Sequence, residues 1–185
     1  FQMYSWFLTA VVTVSLCMIP VPASDYIIED RDIHHYDPVK VIDKQEIACL
    51  AVNIYHEARG ESKDGQIAVA FVTLNRVKSN SYPDTICGVV YQGYHKPSWR
   101  DETKMVPIRH RCQFSWYCDG KPDMVLDFEI YEEIILLAID VMVNRYEDNT
   151  EGSLFYHADY VEPHWAQHMA KTVKIDNHIF YTASY

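Results

Sequence analysis

The chain has 185 residues, 49% of them hydrophobic, which is enough for one substantial core and too little for two, so one globular domain with appendages is expected. A formal net charge of −10 excludes attachment to nucleic acid by general electrostatics, because that mode needs clustered Lys and Arg to displace counterions. Fourteen Tyr and four Trp supply flat amphipathic surfaces, equally suited to stacking on sugar rings and to filling a core with a polar tip exposed.

Trp6 to Ile19 is uncharged and mostly apolar, and Pro20-Val21-Pro22-Ala23-Ser24 follows it. This is the pattern of a secretory signal with a cut after Ala23. Residues 4–22 also approach the ~20 needed to cross a bilayer, and no Lys or Arg precedes them, so an uncleaved membrane anchor is the alternative. Residues 1–23 are therefore expected to be a signal peptide or anchor, and the chain to be exported to the periplasm or extracellular space, or carried by a phage. Residues 24–42 read as an exposed lead-in and residues 43–185 as the catalytic domain. Beyond Cys17, the leader's own, the cysteines are Cys49, Cys87, Cys112 and Cys118. An even set in an exported protein points to disulfides. Several pairings are open, and Cys87 with Cys118 is the favoured one.

Asp43 with Glu46 reads as a helix N-cap with a carboxylate at the third helical position. Ile47, Leu50, Ala51, Ile54, Tyr55 and Ala58 then recur at helical spacing, up to a stop at Gly60. A second, largely buried helix is expected from Asp64 to Lys78 and a short one from Thr85 to Tyr91. Gln92 to Arg111 reads as a long polar binding loop. Gln113 to Tyr117 has strand composition, and Asp119-Gly120-Lys121-Pro122 is a turn. A long helix over Leu126 to Arg145, a segment at Phe155-Tyr156-His157, a helix from Pro163 to Lys171 and a strand from His178 to Tyr181 complete the series.

The residue with the clearest chemical promise is Glu57, seven positions after Leu50 and three after Ile54, and so beside the apolar stripe. Desolvation there and the negative end of the helix dipole both oppose ionisation. A carboxyl group so placed suits a general acid of the glycosidase kind. The competing role is a structural Glu paired with Arg59 or Arg76.

In an ordered series of blocks the chain resembles the cell-wall hydrolases typified by the spore cortex-lytic enzyme SleB. The resemblance rests on Tyr55-His56-Glu57-Ala58-Arg59-Gly60-Glu61, Gly65-Gln66-Ile67-Ala68-Val69-Ala70, Leu74-Asn75-Arg76-Val77 and Pro83 to Tyr91. It continues in Gln113-Phe114-Ser115-Trp116, Tyr156 to Val161, Pro163-His164-Trp165-Ala166 and His178 to Tyr181. The resemblance implies a lysozyme-like single domain, mainly α (α+β) with short strands, acting on the glycan strands of peptidoglycan as a lytic transglycosylase or muramidase. Its catalytic glutamate maps onto Glu57, and Gln113, Ser115 and Tyr181 are the expected substrate-binding residues.

Hydrolysis usually needs a second carboxylate, about 5–5.5 Å away for retention and about 6.5–9.5 Å for inversion. Glu61 is the candidate, although a cap on the next helix or a bond to Arg76 suits it better. A zinc-protease reading of His56-Glu57 fails because the fifth position is Gly60. His157, His164, His168 and His178 lack the companions of a recognisable metal set, so no metal and no cofactor are expected. Cys49 and His56 are about 10.5 Å apart along a helix, too far to form a catalytic pair. A non-catalytic wall-binding or virion structural protein is the remaining class.

Overall fold

Helix α1, Lys44–Ala58, begins where Asp43 turns extended and its carboxylate accepts from the Gln45 N–H at 2.8 Å. The computed structural model describes residues 42–183; the expected leader and all but the end of the lead-in lie outside them. Glu46 does not complete a capping box at α1. Its carboxylate accepts from the backbone N–H groups of Ile86 and Cys87, which open helix α3, Ile86–Val90. A residue expected to act locally thus ties two helices together. The chain leaves α1 through Arg59 in right-handed conformation, and the Glu61 N–H bonds to the Ala58 carbonyl.

Helix α2, Lys63–Lys78, starts from Ser62, whose Oγ accepts from the Gly65 N–H. Gly65 is required by proximity: a Cβ there would stand 2.5 Å from Asp176 Oδ2 and 2.9 Å from Glu61 Cβ. Asp176 in turn accepts from the Ser62 N–H and hydroxyl, so the start of α2 is fastened to a turn more than a hundred residues on. Helix α4, Phe128–Met142, packs on α1. Leu50, Ile54, Phe71, Val89, Val90, Ile134, Ala138 and Val141 form the joint core of the four helices, each of the larger side chains contributing about 1.5–3 kcal/mol by leaving water.

Strands β1 (Gly93–Pro97) and β2 (Met105–Cys112) form an antiparallel hairpin with Lys96 opposite Val106. This replaces the loop expected over Gln92 to Arg111. Neither strand has a buried face, so the period-two signal that marks a strand never arises, and a two-stranded sheet is all edge, where Pro97 and Pro107 are tolerated. The tip is closed by the Ser98 N–H to the Lys104 carbonyl at 2.8 Å and by Asp101 accepting from Thr103.

The strand expected at Gln113 to Tyr117 is instead a 3-10 turn, Ser115–Cys118. Disulfides join Cys49 to Cys87 and Cys112 to Cys118, which overturns the favoured pairing of Cys87 with Cys118. The second bridge folds the chain back across six residues, leaving no room for a strand. Trp116 points into the core, where its Nε1 donates to Asn53 Oδ1 at 3.0 Å, while Asn53 Nδ2 donates to Thr73 Oγ1 at 3.1 Å. Asn53 is fully buried and joins α1, α2 and the turn. Asn53→Ala would strand a buried indole N–H and is expected to lower stability by about 2–3 kcal/mol, measured by urea unfolding.

The second sheet is antiparallel in the order β3-β5-β4, from β3 (Phe155–Ala158), β4 (Met169–Ile175) and β5 (His178–Ala183). The helix expected from Pro163 to Lys171 is a 3-10 turn, His164–His168, that passes directly into β4. The β-branched Thr172, Val173 and Ile175 carry the strand. Phe180 is wholly buried against Ala68 and Val72 of α2. By alternation, Tyr156, His178 and Phe180 face the helices, while Phe155, His157 and Tyr181 lie on the opposite face of the sheet, where all three contact the Trp165 ring.

Candidate active site

Three elements converge on the Glu57 carboxyl group. The last turn of α1 presents it, β3 brings Tyr156 to it, and α2 places Arg76 nearby. The Tyr156 hydroxyl donates to Glu57 Oε2 at 2.9 Å. Glu57 itself is half-buried, so the group is partly withdrawn from bulk water. Burial pushes its pKa up; the Tyr156 hydrogen bond and then the Arg76 charge pull in the opposite direction without cancelling the rise.

Arg76 is 5% exposed. Its Nε donates to the Leu154 carbonyl at 2.9 Å and its guanidinium lies 4.9 Å from the Phe114 ring centre. Its Nη1 is buried with no hydrogen-bond partner among the described residues. The charge therefore acts on Glu57 through the field rather than as a direct ion pair. Tyr156 stays protonated, its pKa raised well above the ordinary value by burial and by the neighbouring Glu57 charge. His178 meets the Tyr156 ring edge-on at 5.2 Å, and burial holds its pKa down.

The structural role weighed for Glu57, pairing with Arg59, is not what Arg59 does: its Nη1 donates to the Tyr55 carbonyl and its guanidinium lies 5.0 Å from the Tyr55 ring centre. Glu61 neither caps α2 nor binds Arg76. Its carboxylate accepts from Asn177 N and Nδ2 at 3.3 and 3.2 Å, fixing the turn between β4 and β5. His56 stacks on Trp116 at 4.5 Å, and burial lowers its pKa.

The other sequence candidates have no hydrogen bond to Glu57 among the described residues: their places are on the hairpin root, the 3-10 turn and the second sheet. Gln113 is exposed at the root of the hairpin, its N–H bonded to the Gln92 carbonyl at 2.9 Å, and Ser115 is exposed at the start of the 3-10 turn. Tyr181 is on the sheet face opposite Tyr156. Its hydroxyl bonds His157 Nε2 at 2.9 Å, and it lines a cleft of about 530 Å³ with His157, Tyr160, Glu162 and Gln167. Tyr156 does not stand out in the sequence, because nothing local ties it to a residue ninety-nine positions earlier. Its place in a block matching the family is the available signal. Among the described residues no group of three or more His, Cys, Asp or Glu is arranged to hold a metal ion, and no helix is long and apolar enough to cross a membrane.

The sequence profile described as Cell Wall Hydrolase matches residues 60–181. The chain belongs to this family. Glu57 stands just ahead of the matched segment. The spore cortex-lytic enzyme of Bacillus subtilis (strain 168) is 29% identical over 135 residues, 73% of this chain and 37% of its own length. That of Oceanobacillus iheyensis is 47% identical over 49 residues, 26% of this chain and 18% of its own. The chain thus spans well under half of the curated relatives it matches. Among solved structures, the catalytic domain of the germination-specific lytic transglycosylase SleB from Bacillus anthracis aligns with a TM-score of 0.55 at 28% identity, covering 77% of this chain and 98% of that domain. The SleB catalytic domain from Bacillus cereus aligns with a TM-score of 0.54 at 28% identity, covering 76% and 91%. The fold of this Cell Wall Hydrolase chain is that of the SleB catalytic domain: a mostly helical α+β domain with short antiparallel sheets.

Proposed function

We propose that this chain is a peptidoglycan lytic transglycosylase, cleaving the bond between MurNAc and GlcNAc with Glu57 as both acid and base. The observation that carries the reading is a half-buried Glu57 carboxyl held by the Tyr156 hydroxyl. Burial raises the Glu57 pKa and so favours the protonated form that an acid needs. As the bond from MurNAc C1 to the glycosidic oxygen breaks, that proton passes to the oxygen, which leaves as the GlcNAc hydroxyl. Tyr156 and Arg76, which favour the charged form, then stabilise the resulting carboxylate. The carboxylate takes the proton of the MurNAc C6 hydroxyl as O6 bonds to C1, giving a 1,6-anhydro ring and restoring the acid. No water and no cofactor enter the balance.

The engagement of Glu61 with Asn177 supports this single-carboxylate route over a muramidase, and the structurally similar Bacillus anthracis domain is that of a lytic transglycosylase. Gln113, Ser115 and Tyr181 are proposed to contact the glycan. The two disulfides support an exported protein, since such bridges persist in oxidising compartments. The test is mass spectrometry of muropeptides released from purified sacculi by wild type and Glu57→Gln. Anhydro-muropeptides that require Glu57 are expected. Reducing MurNAc ends would replace the reading with a hydrolase, and no Glu57-dependent release would leave a non-catalytic wall-binding protein.

Tyr156→Phe tests the proton economy of the pair. The lost hydrogen bond had lowered the Glu57 pKa, so its removal raises that pKa further, and the alkaline limb of the rate profile moves to higher pH. The maximal rate is expected to fall about tenfold, because the carboxylate of the second step loses its donor. An unmoved limb in a pH–rate series would disconnect Tyr156 from the acid.

A further inference from the structure

We propose that the groove at the root of the β1–β2 hairpin is a subsite for a carboxylate-bearing peptide stem of the wall polymer. This deepens the proposed function and rests on peptidoglycan being the substrate. The first observation is charge. Residues 93–112 carry Lys96, Arg100, Lys104, Arg109 and Arg111 against Asp101 and Glu102, in a chain whose net charge is −10. Positive charge has been gathered on one projecting element, where it attracts anions that the rest of the surface repels.

Two of these cations are already occupied: Lys104 pairs with Asp101 at 3.4 Å and Arg109 donates to the Asp119 carbonyl at 2.9 Å. Arg111 is different. Its guanidinium lies 4.9 Å from the ring centre of Tyr94, itself 65% exposed, and it has no carboxylate partner among the described residues. Stacking fixes the plane of the guanidinium and leaves its N–H edge free for a bidentate carboxylate.

Arg111 and Tyr94 line a groove of about 400 Å³ with Gln92, Gly93, Cys112 and Gln113. Gln92 Oε1 is buried there without a hydrogen-bond partner, while the Gln92 backbone carbonyl is satisfied by the Gln113 N–H. An orphaned amide oxygen beside a guanidinium without a carboxylate asks for a ligand offering both an N–H of a peptide group and a carboxylate. A peptide stem offers both on one chain, whereas a bare glycan's N-acetyl groups answer the amide and leave the cation unmatched.

The groove is built to hold its shape. A Cβ at Gly93 would stand 2.8 Å from Cys112 Sγ, so bare backbone and the Cys112–Cys118 bridge form the floor. Between those cysteines Trp116 stacks on His56, the residue before Glu57. The subsite is thereby anchored to the end of the helix that presents the acid.

The test is binding, separated from catalysis by carrying Glu57→Gln in the full chain. Glycan oligomers with intact peptide stems and the same oligomers stripped by an amidase are titrated by calorimetry. Stem-bearing oligomers are expected to bind about tenfold tighter, and Arg111→Glu and the milder Arg111→Gln to bring the two affinities together. Lys171→Glu on β4, the same charge change away from the groove, is expected to keep the preference. Equal affinity for the two ligands in the parent, persistence of the preference in both Arg111 variants, or its equal loss in Lys171→Glu overturns the proposal. Preferential binding without any Glu57-dependent cleavage by the native chain would leave the subsite standing and remove the enzymatic reading instead.

Discussion

Glu57→Gln is expected to lower the rate of muropeptide release by at least about a thousandfold while making the protein more stable at neutral pH. The two effects have one origin. A positioned acid or base contributes typically about 10²–10⁴, and here a single carboxyl group serves both the departure of the GlcNAc hydroxyl and the attack of O6. Gln keeps the shape and can still accept from Tyr156, but it carries no proton to give and takes none back. Loss therefore falls on kcat, with affinity for sacculi retained.

The stability effect follows from burial raising the Glu57 pKa above its ordinary 4.5. A group with a raised folded-state pKa contributes its full stability below the unfolded value, and that contribution is lost as pH rises through the folded value. Wild type and Glu57→Gln should accordingly melt at similar temperatures below pH 4.5, the ordinary value of the group, and diverge above it in favour of the variant. Thermal melts across pH 3.5–8 would check this. A variant that is less stable at neutral pH would mean that Tyr156 and Arg76 more than offset desolvation, and the argument for a protonated acid would fail with it. Such opposition between stability and activity is the usual signature of a group held in an environment that suits its chemistry rather than its fold.

The helices are legible in the sequence because their information is local. The stripe from Ile47 to Ala58 recurs at helical spacing, and the same spacing places Glu57 beside it without reference to any tertiary contact. What the sequence hides depends on distant partners. Glu46 resembles a capping-box residue in every local respect, and only the arrival of α3 shows that its carboxylate caps another helix. The hairpin escapes a sequence reading because exposed strands have no apolar alternation. Strand β4 escapes it because its first residues follow a helical turn without a break. The site divides in the same way: Glu57 and the alternative partner Arg76 come from the pattern, whereas Tyr156 requires the sheet to be folded onto α2. Gln113 and Tyr181 emerge in two separate grooves, a distinction that order along the chain does not encode.

Removing the Cys49–Cys87 bridge is expected to destabilise the domain far more than removing Cys112–Cys118. The first closes a sequence separation of 38 and the second a separation of 6. By loop-closure entropy these correspond to about 4 and about 2 kcal/mol. Against a typical total of about 5–15 kcal/mol, the larger loss should lower the melting temperature of Cys49→Ala/Cys87→Ala on the order of 10–15 °C. The short bridge should act locally instead, loosening the hairpin root and the seat of Trp116. Comparable losses in the two double variants would contradict the assignment, as would any titratable thiol beyond that of Cys17 in the denatured, unreduced protein. The long bridge also has a noncovalent companion, since Glu46 holds the first N–H groups of α3 close to where Cys87 is tethered. Two ties across one contact are not additive. With the bridge present, Glu46→Ala leaves α3 docked and loses mainly a cap. With the bridge absent, the same substitution leaves α3 held to α1 by core packing alone, so its effect on stability should be larger in the Cys49→Ala/Cys87→Ala background than in the native protein.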